Sequence, residues 1–540
     1  MGRARILNDC SEDPPLALYP ERPLEASLAG AGLRRFVGYG RQQLAQDETA
    51  EAYESCEPAL HAPQRWGLAA EAVAHLGDRL YQFWLRFRGG FTTRTRDTSA
   101  HAYDYRRAQL TMDTERNFAH IDRALNGGDG QALQHFMANS PWSGPAVFEQ
   151  IQAEIKATPA LAHGSTLILD ESADEKAGTH NAGASRHYKG RLGKVDVCRG
   201  ETCLTYANGG LWAMVDGELF LPEEWFGAAF AQTWQALGIP PDRTFETKIA
   251  LGLKMVKRGK AQGLPFALLA CDALYGRDSQ CRAALAAENV QYAAQVPADT
   301  AVYLSEPRVG LPPKRGKRGR RHTRLRVLSG QRSQEVRALA QHPQPMWQRV
   351  QVRFTERGWL TADFAVRRVW TVAAGQRPRA EWLVIRRNSD GACSYTLLNA
   401  PTDTPQACLI AWRCRRSFTE RTCEDAKTEM GWDAFQAQRY RAWEHPLALT
   451  AAALWFVAQT KLVWAQMYTR DPALAHQLDV EVLPALSTAN VRELLKAVLP
   501  LPQLTPAEAM DLVITPLIHR ARSTSSRVEV PSATTGLILM

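Results

Sequence analysis

Apolar positions along the chain follow two rhythms that change at definable places. From about residue 61 to 160 they recur at i, i+3 and i+4. There WGLAAEAVAHLGDRLYQFWLRF (66–87) and DTERNFAHIDRALNGGDGQALQHFMANSPW (113–142) predict amphipathic helices, the second divided at NGGDG (126–130). From 164 to 305 the period shortens. STLILDES (165–172) predicts a strand, and KVDVCRGETCLTYANGGLWAMVDGELFLP (194–222) predicts two strands joined at Asn208-Gly209-Gly210. A helix with Ile249, Leu253 and Val256 on one face follows. PFALLACDALYG (265–276) then predicts a buried strand ending at Asp272, ahead of a helix around 279–289 and a strand in VQYAAQVPA (290–298).

Strand, hairpin, helix, strand, helix, strand is the order of a ribonuclease-H-like sheet. The expected fold class is therefore α/β, a mixed sheet flanked by helices. Further strand-like text (WQRVQVRF, RRVWTVAA, EWLVIRR, CSYTLLNA) lies beyond 340, and helical text returns at 415–465. The divisions expected are a loosely structured arm (1–60), a helical DNA-binding domain (61–160) and the first part of a catalytic core (161–305). A basic, β-rich insertion (306–379), the second part of the core with an acid-bearing helix (380–470) and a helical C-terminal tail (471–540) follow.

Charge sharpens this reading. Sixty-five Lys and Arg against 56 Asp and Glu give a net charge of +9, which favours an anionic partner such as nucleic acid. Eight of the cations fall within positions 314–326. Such a run neutralises phosphates and makes binding steeply salt-dependent. The ten cysteines contain no C-x-x-C pair. Without a secretory leader they read as reduced thiols of a cytoplasmic protein. The apolar PLALTAAALWFVA (446–458) is too short to span a bilayer and reads as a core helix, so no membrane is expected.

The strand LIL delivers Asp170, and the strand LLAC delivers Asp272. An ionised carboxylate at a buried strand end is costly unless paired or bound to metal. Oxygen ligands without a Cys or His cluster favour magnesium or manganese. A third acid is expected from RRSFTERTCEDAKTEMGWDAFQ (415–436), where Arg416, Glu420 and Lys427 share one helical face. Such a face offers a metal ligand flanked by cations that contact phosphate. Glu424 and Glu429 compete with Glu420 for that role.

LILDES, KAGTHNAGASRHYKGRLGKVDVC, LWAMVDGELFLPEEW, CDALYG, ERTCEDAKTEMGWDAF and EHPLALTAAALWF resemble bacterial insertion-sequence transposases of the DDE superfamily. The chain looks like the cut-and-paste branch, with a Tyr-Arg-Glu-Lys signature and a β-rich insertion between the second Asp and the Glu. The likeness covers roughly residues 85–465. It implies Asp170, Asp272 and Glu420 as the catalytic, metal-binding triad holding two Mg2+ or Mn2+ ions per active site, and Arg416 and Lys427 as DNA contacts. The signature's Tyr falls at position 413, which is Arg here.

Further DNA-contact candidates are His187, Tyr188, Lys189, Arg191 and Lys194, with Lys314, Arg315, Lys317, Arg318, Arg320 and Arg321 of the basic run. The implied partners are double-stranded DNA, as transposon ends and target, and a second copy of the chain as a homodimer on DNA. A bacterial, nucleoid-associated cytoplasmic location is implied too. Two rivals stand beside this reading: a ribonuclease-H-like nuclease or resolvase that cuts without joining, and a domesticated DNA-binding protein.

Overall fold

The computed structural model describes residues 60–500, apart from 114–115, 176–180, 190–193, 313–321, 329, 342–345, 356–357, 435–437 and 481, together with positions 510, 514 and 518. The 1–60 arm, save its last residue, and most of the tail beyond 500 thus lie outside the described residues. The strands used below are β1 (Thr166–Glu175), β2 (Ala184–Lys189), β3 (Lys194–Asn208), β4 (Leu211–Leu219), β5 (Leu268–Cys271), β6 (Tyr292–Val296), β7 (Gln348–Thr355), β8 (Gly358–Thr371), β9 (Arg379–Arg387) and β10 (Cys393–Leu398). The helices are α1 (Leu76–Phe87), α2 (Ser99–Thr111), α3 (Phe118–Asn126), α4 (Gln131–Ala138), α5 (Gly144–Lys156), α6 (Lys248–Ala261), α7 (Ala273–Arg277), α8 (Ser279–Ala287), α9 (Gln406–Cys414), α10 (Ser417–Glu424), α11 (Arg441–Met467) and α12 (Thr488–Val498).

All ten strands join one mixed sheet in the order β7-β8-β9-β10-β6-β5-β1-β3-β2, with β4 also paired to β3. The core of it is parallel: β1 runs beside β5 and β5 beside β6. β3 lies antiparallel to β1 and turns back into β4 through the expected hairpin. Helices cover both faces, as parallel strands require.

Four features differ from the sequence expectations. Asp170 is not the end of its strand: β1 continues to Glu175 because β3 stays paired with it as far as Glu175↔Cys198. The expected order has no strand between STLILDES and KVDVC, yet β2 lies there and pairs with β3 from Ala184↔Arg199 to Lys189↔Lys194. The strands of the expected insertion, β7 and β8, continue the sheet of the core, since β10 pairs antiparallel with β6 and carries β9, β8 and β7 in turn.

Finally, the boundary at 160 divides no core. One hydrophobic cluster runs from Leu80, Phe83 and Tyr105 of α1 and α2, through Leu167 and Leu269 of the sheet, to Trp455 of α11 and Leu495 of α12. α11 is the central strut of this cluster. It is the one helix among the described residues long and apolar enough to cross a membrane, and 78% of its most apolar window is buried inside the protein. A helix apolar on every side is what a core position demands.

Candidate active site

Alternation along β1 decides where its side chains go. Leu167 and Leu169 enter the main cluster, whereas Ile168 packs on the opposite face with Ala270 of β5, Trp212 and Phe418 of α10. Asp170 follows Ile168 onto that second, thinner layer. β5 stops one residue short of Asp272, whose Oδ1 accepts the backbone N–H groups of Leu274 (3.0 Å) and Tyr275 (3.5 Å) and so caps α7. Asp170 and Asp272 are thereby held at the same level, one residue beyond the last paired step Leu169↔Cys271.

The third acid arrives on α10. Arg416, at its N-cap, donates from Nη1 to Asp170 Oδ2 at 3.0 Å and from Nη2 to Glu420 Oε1 at 2.9 Å. The helix does not continue as a regular α-helix to Lys427. Residues Asp425–Glu429 form a π-helical turn, a local distortion frequent at functional sites. The extra backbone residue turns Lys427 inward, where its Nζ donates to the Ala173 carbonyl of β1 at 3.2 Å and lies 5.4 Å from the Trp432 ring centre. Arg416, Glu420 and Lys427 therefore do not share a straight helical stripe, yet Arg416 and Lys427 both reach β1.

Burial shapes the charges. The Asp170 side chain is 17% exposed and Arg416 26%, whereas Glu420 is 64% exposed. Burial pushes the Asp170 carboxyl up to about 7; Arg416 pulls it down, and the neighbouring Asp272 carboxylate adds to the rise. Asp272 is raised too, by burial, against the backbone N–H groups of Tyr275 and Leu274 and the charges of Arg416 and Lys248. On the far face of β1, Glu171 meets Lys248 of α6 at 2.8 Å. Two half-buried acids with raised pKa values, beside an exposed third, make a site that attracts cations and opens toward solvent.

Residues 86–358 match the family described as DDE superfamily endonuclease. The chain belongs to that family. A probable transposase for insertion sequence element IS701 from Microchaete diplosiphon is 26% identical over 189 residues, which cover 34% of this chain and 44% of that protein. The chain thus spans less than half the length of this curated relative. Among solved structures, the cryo-EM structure of a piggyBac transposase synaptic complex with hairpin DNA aligns over 82% of each chain, at 11% identity and a TM-score of 0.34.

In this DDE superfamily endonuclease the donor set fits a hard divalent cation: carboxylate oxygens only, two of them destabilised by each other. Among the described residues no group of three His, Cys, Asp or Glu side chains is placed to hold a metal ion, so Asp170, Asp272 and Glu420 do not converge into one in this arrangement. The Arg416 guanidinium stands between Asp170 and Glu420 and holds the positive charge there. Of the competing acids, Glu424 is paired with Arg421 at 3.1 Å and Glu429 with Arg492 at 2.7 Å.

The remaining sequence candidates divide by position. His187, Tyr188 and Lys189 lie on β2 and Lys194 opens β3; their side chains are outside the described residues. So are Arg191, Lys314, Arg315, Lys317, Arg318, Arg320 and Arg321. Sequence reading missed Lys248 because its helix is separated from Glu171 by some eighty residues of chain and carries no local motif.

Proposed function

We propose that the chain is a DNA transposase that binds the terminal inverted repeats of an insertion sequence, cuts them and joins them to target DNA. The observation that carries this reading is the bridge made by Arg416. It ties an acid from β1 to an acid from α10, 250 positions later in the chain, beside the acid that ends β5. In a ribonuclease-H-like core those three acids, Asp170, Asp272 and Glu420, hold the divalent ions.

Magnesium or manganese, when bound, supplies Lewis-acid activation of water or of a DNA 3′-hydroxyl and neutralises charge at the scissile phosphate. The chain's own groups do the rest. Asp170, Asp272 and Glu420 would hold the ion through their carboxylate oxygens, which would release Arg416 from its bonds to Asp170 and Glu420. The freed Arg416 then faces phosphate oxygens, for which its planar fork is suited. Lys427, anchored on Ala173, keeps a second positive charge next to β1. Joining two transposon ends to one target requires two copies of the site, so the acting unit is a dimer on DNA, and its place is the cytoplasm.

The test uses the full chain, a labelled duplex carrying the inverted repeat that flanks the gene, and a plasmid target. Cleavage and joined product are expected with Mg2+ or Mn2+ and none in EDTA. Asp170→Asn, Asp272→Asn and Glu420→Gln each lower cleavage at least ~1,000-fold, the scale of lost electrostatic stabilisation at such a centre, while end binding stays measurable. Cleavage without joined product would make the chain a nuclease or resolvase, and binding without metal-dependent cleavage a DNA-binding protein. Full cleavage by the Glu420→Gln protein would pass the third role to Glu424.

A further inference from the structure

Two guanidinium groups near this site have no carboxylate to answer them. Arg413, on the last turn of α9, donates to Ser394 Oγ at 2.6 Å, and its Nε is buried without an acceptor. Arg386 of β9 is the cross-strand partner of that same Ser394. Its Nε is likewise buried and unsatisfied, and its side chain makes no hydrogen bond or ion pair among the described residues. The two arginines repel each other, and Arg416 repels Arg413. Burial, partly offset by the neighbouring Cys414, pushes the Arg413 guanidinium down to about 10, with both arginines adding to the fall.

A buried N–H left without an acceptor is costly, and buried polar groups in native proteins are nearly always satisfied. Their position suggests what completes them. Arg386 lies two residues beyond Val384, which packs against Leu409 and Ile410 of α9, so it emerges on the face that carries Asp170. Ser394 directly precedes Tyr395, the partner of Val296 at the carboxyl end of β6. It therefore stands at the same edge of the sheet as Asp170 and Asp272. From β10 to β1 is three strand steps, roughly 14 Å at a spacing of about 4.8 Å. That span equals about four base-pair steps of roughly 3.4 Å each.

We propose that Arg386, Arg413 and Ser394 form a binding site for a backbone phosphate of the DNA, a few nucleotides from the phosphate being cut. The inference rests on the transposase reading and adds to it a contact made by two arginines and a serine outside the acid-bearing helix. Two guanidinium forks and a hydroxyl match the oxygens of a phosphodiester. The arginine at position 413 thus contributes a charge contact to DNA through a strand partner, Arg386, that no signature around Glu420 would reveal.

The experiment measures binding of the full-length R386Q/R413Q protein to the transposon-end duplex between 0.05 and 0.3 M salt, with thermal unfolding followed with and without DNA. The slope of log affinity against log salt should fall by about 0.9 for each phosphate that is no longer neutralised. Affinity should drop roughly tenfold, the scale of one charge-assisted hydrogen bond. Without DNA the melting temperature should be little changed, since neither guanidinium has a carboxylate partner to lose, and R413K should recover part of the slope.

An unchanged slope and affinity, with cleavage by the parent protein intact, would overturn this site and leave the transposase reading standing. A lower melting temperature without DNA and an unchanged slope would make the pair structural and also overturn it. Stabilisation of the parent by inorganic phosphate as large as that by DNA would replace the DNA contact with a free-anion site. A parent protein that neither binds nor cuts DNA would remove both readings. Should the double variant fail to fold, R386Q alone carries the comparison, because Arg386 has no described partner to lose.

Discussion

The Arg416 guanidinium lies between two carboxylates of unlike exposure, 3.0 Å from Asp170 Oδ2 and 2.9 Å from Glu420 Oε1. It serves as a counter-charge to both half-buried aspartates, Asp170 and Asp272. Arg416→Gln should therefore destabilise the protein in EDTA by about 3 kcal/mol, the typical penalty for removing one partner of a buried pair. Millimolar Mn2+ should restore most of that loss, because a cation binding only the folded state stabilises it by mass action. Urea denaturation with and without the metal measures both. Equal losses in the two conditions would mean that Arg416 is not standing in for a cation.

Gly276 closes the stretch CDALYG for a steric reason. A Cβ at this position would run into the backbone carbonyl of Gln295, where α7 crosses β6. Backbone cannot give way as a side-chain tip can, so Gly276→Ala should lower stability by about 3 kcal/mol. It should also reduce cleavage, because α7 is the helix that Asp272 caps. Gly252→Ala on α6 provides the contrast. Its Cβ would meet the Leu169 side chain at 2.6 Å and the Tyr275 ring at 2.9 Å. Those groups can shift, and the loss should be about 1 kcal/mol. Similar losses at both positions would refute the distinction.

Glu444, in the first turn of α11, is pushed up to about 7 by burial, with the Glu218 carboxylate adding to the rise and Arg441 and Arg243 opposing it. The buried His445 ring lies 4.0 Å away. Between its ordinary pKa of 4.5 and about 7, the folded chain binds a proton that the unfolded chain has lost. The stability from this group is therefore fully present below about pH 4.5 and disappears as pH rises through about 7. In Glu444→Gln that loss is absent. From pH 4 to 8 the variant should gain on its parent by up to roughly 3 kcal/mol. Asp170 and Asp216 are also raised, but they titrate in both proteins, so the difference between the two curves isolates Glu444. A constant difference across the range would contradict the assignment.

Much of the centre is legible in the chain alone. The alternation in LILD and LLACD puts both aspartates on one face because strand periodicity is local, and Asn208-Gly209-Gly210 marks its hairpin for the same reason. Arg416 and Glu420, four residues apart, do meet. Three things are hidden. β2 has no apolar run, because its partner β3 supplies the pairing and its sequence need satisfy only backbone ladders. The π-helical turn at Asp425–Glu429 leaves the residue spacing untouched while rotating Lys427 out of register. Arg386 and Arg413 are remote in sequence, and only the pairing of Ser394 with Arg386 brings them together.

The continuity of the sheet from β6 through β10 also orders events during synthesis. Asp170 and Asp272 leave the ribosome well before Arg416 and Glu420, and the strands between them are joined to β6 in the finished sheet. A nascent or prematurely terminated chain that stops short of 416 carries two mutually repelling acids and neither the arginine nor the glutamate that completes them. Such fragments cannot form the Arg416 bridge between β1 and α10, which exists only in a chain translated past Glu420.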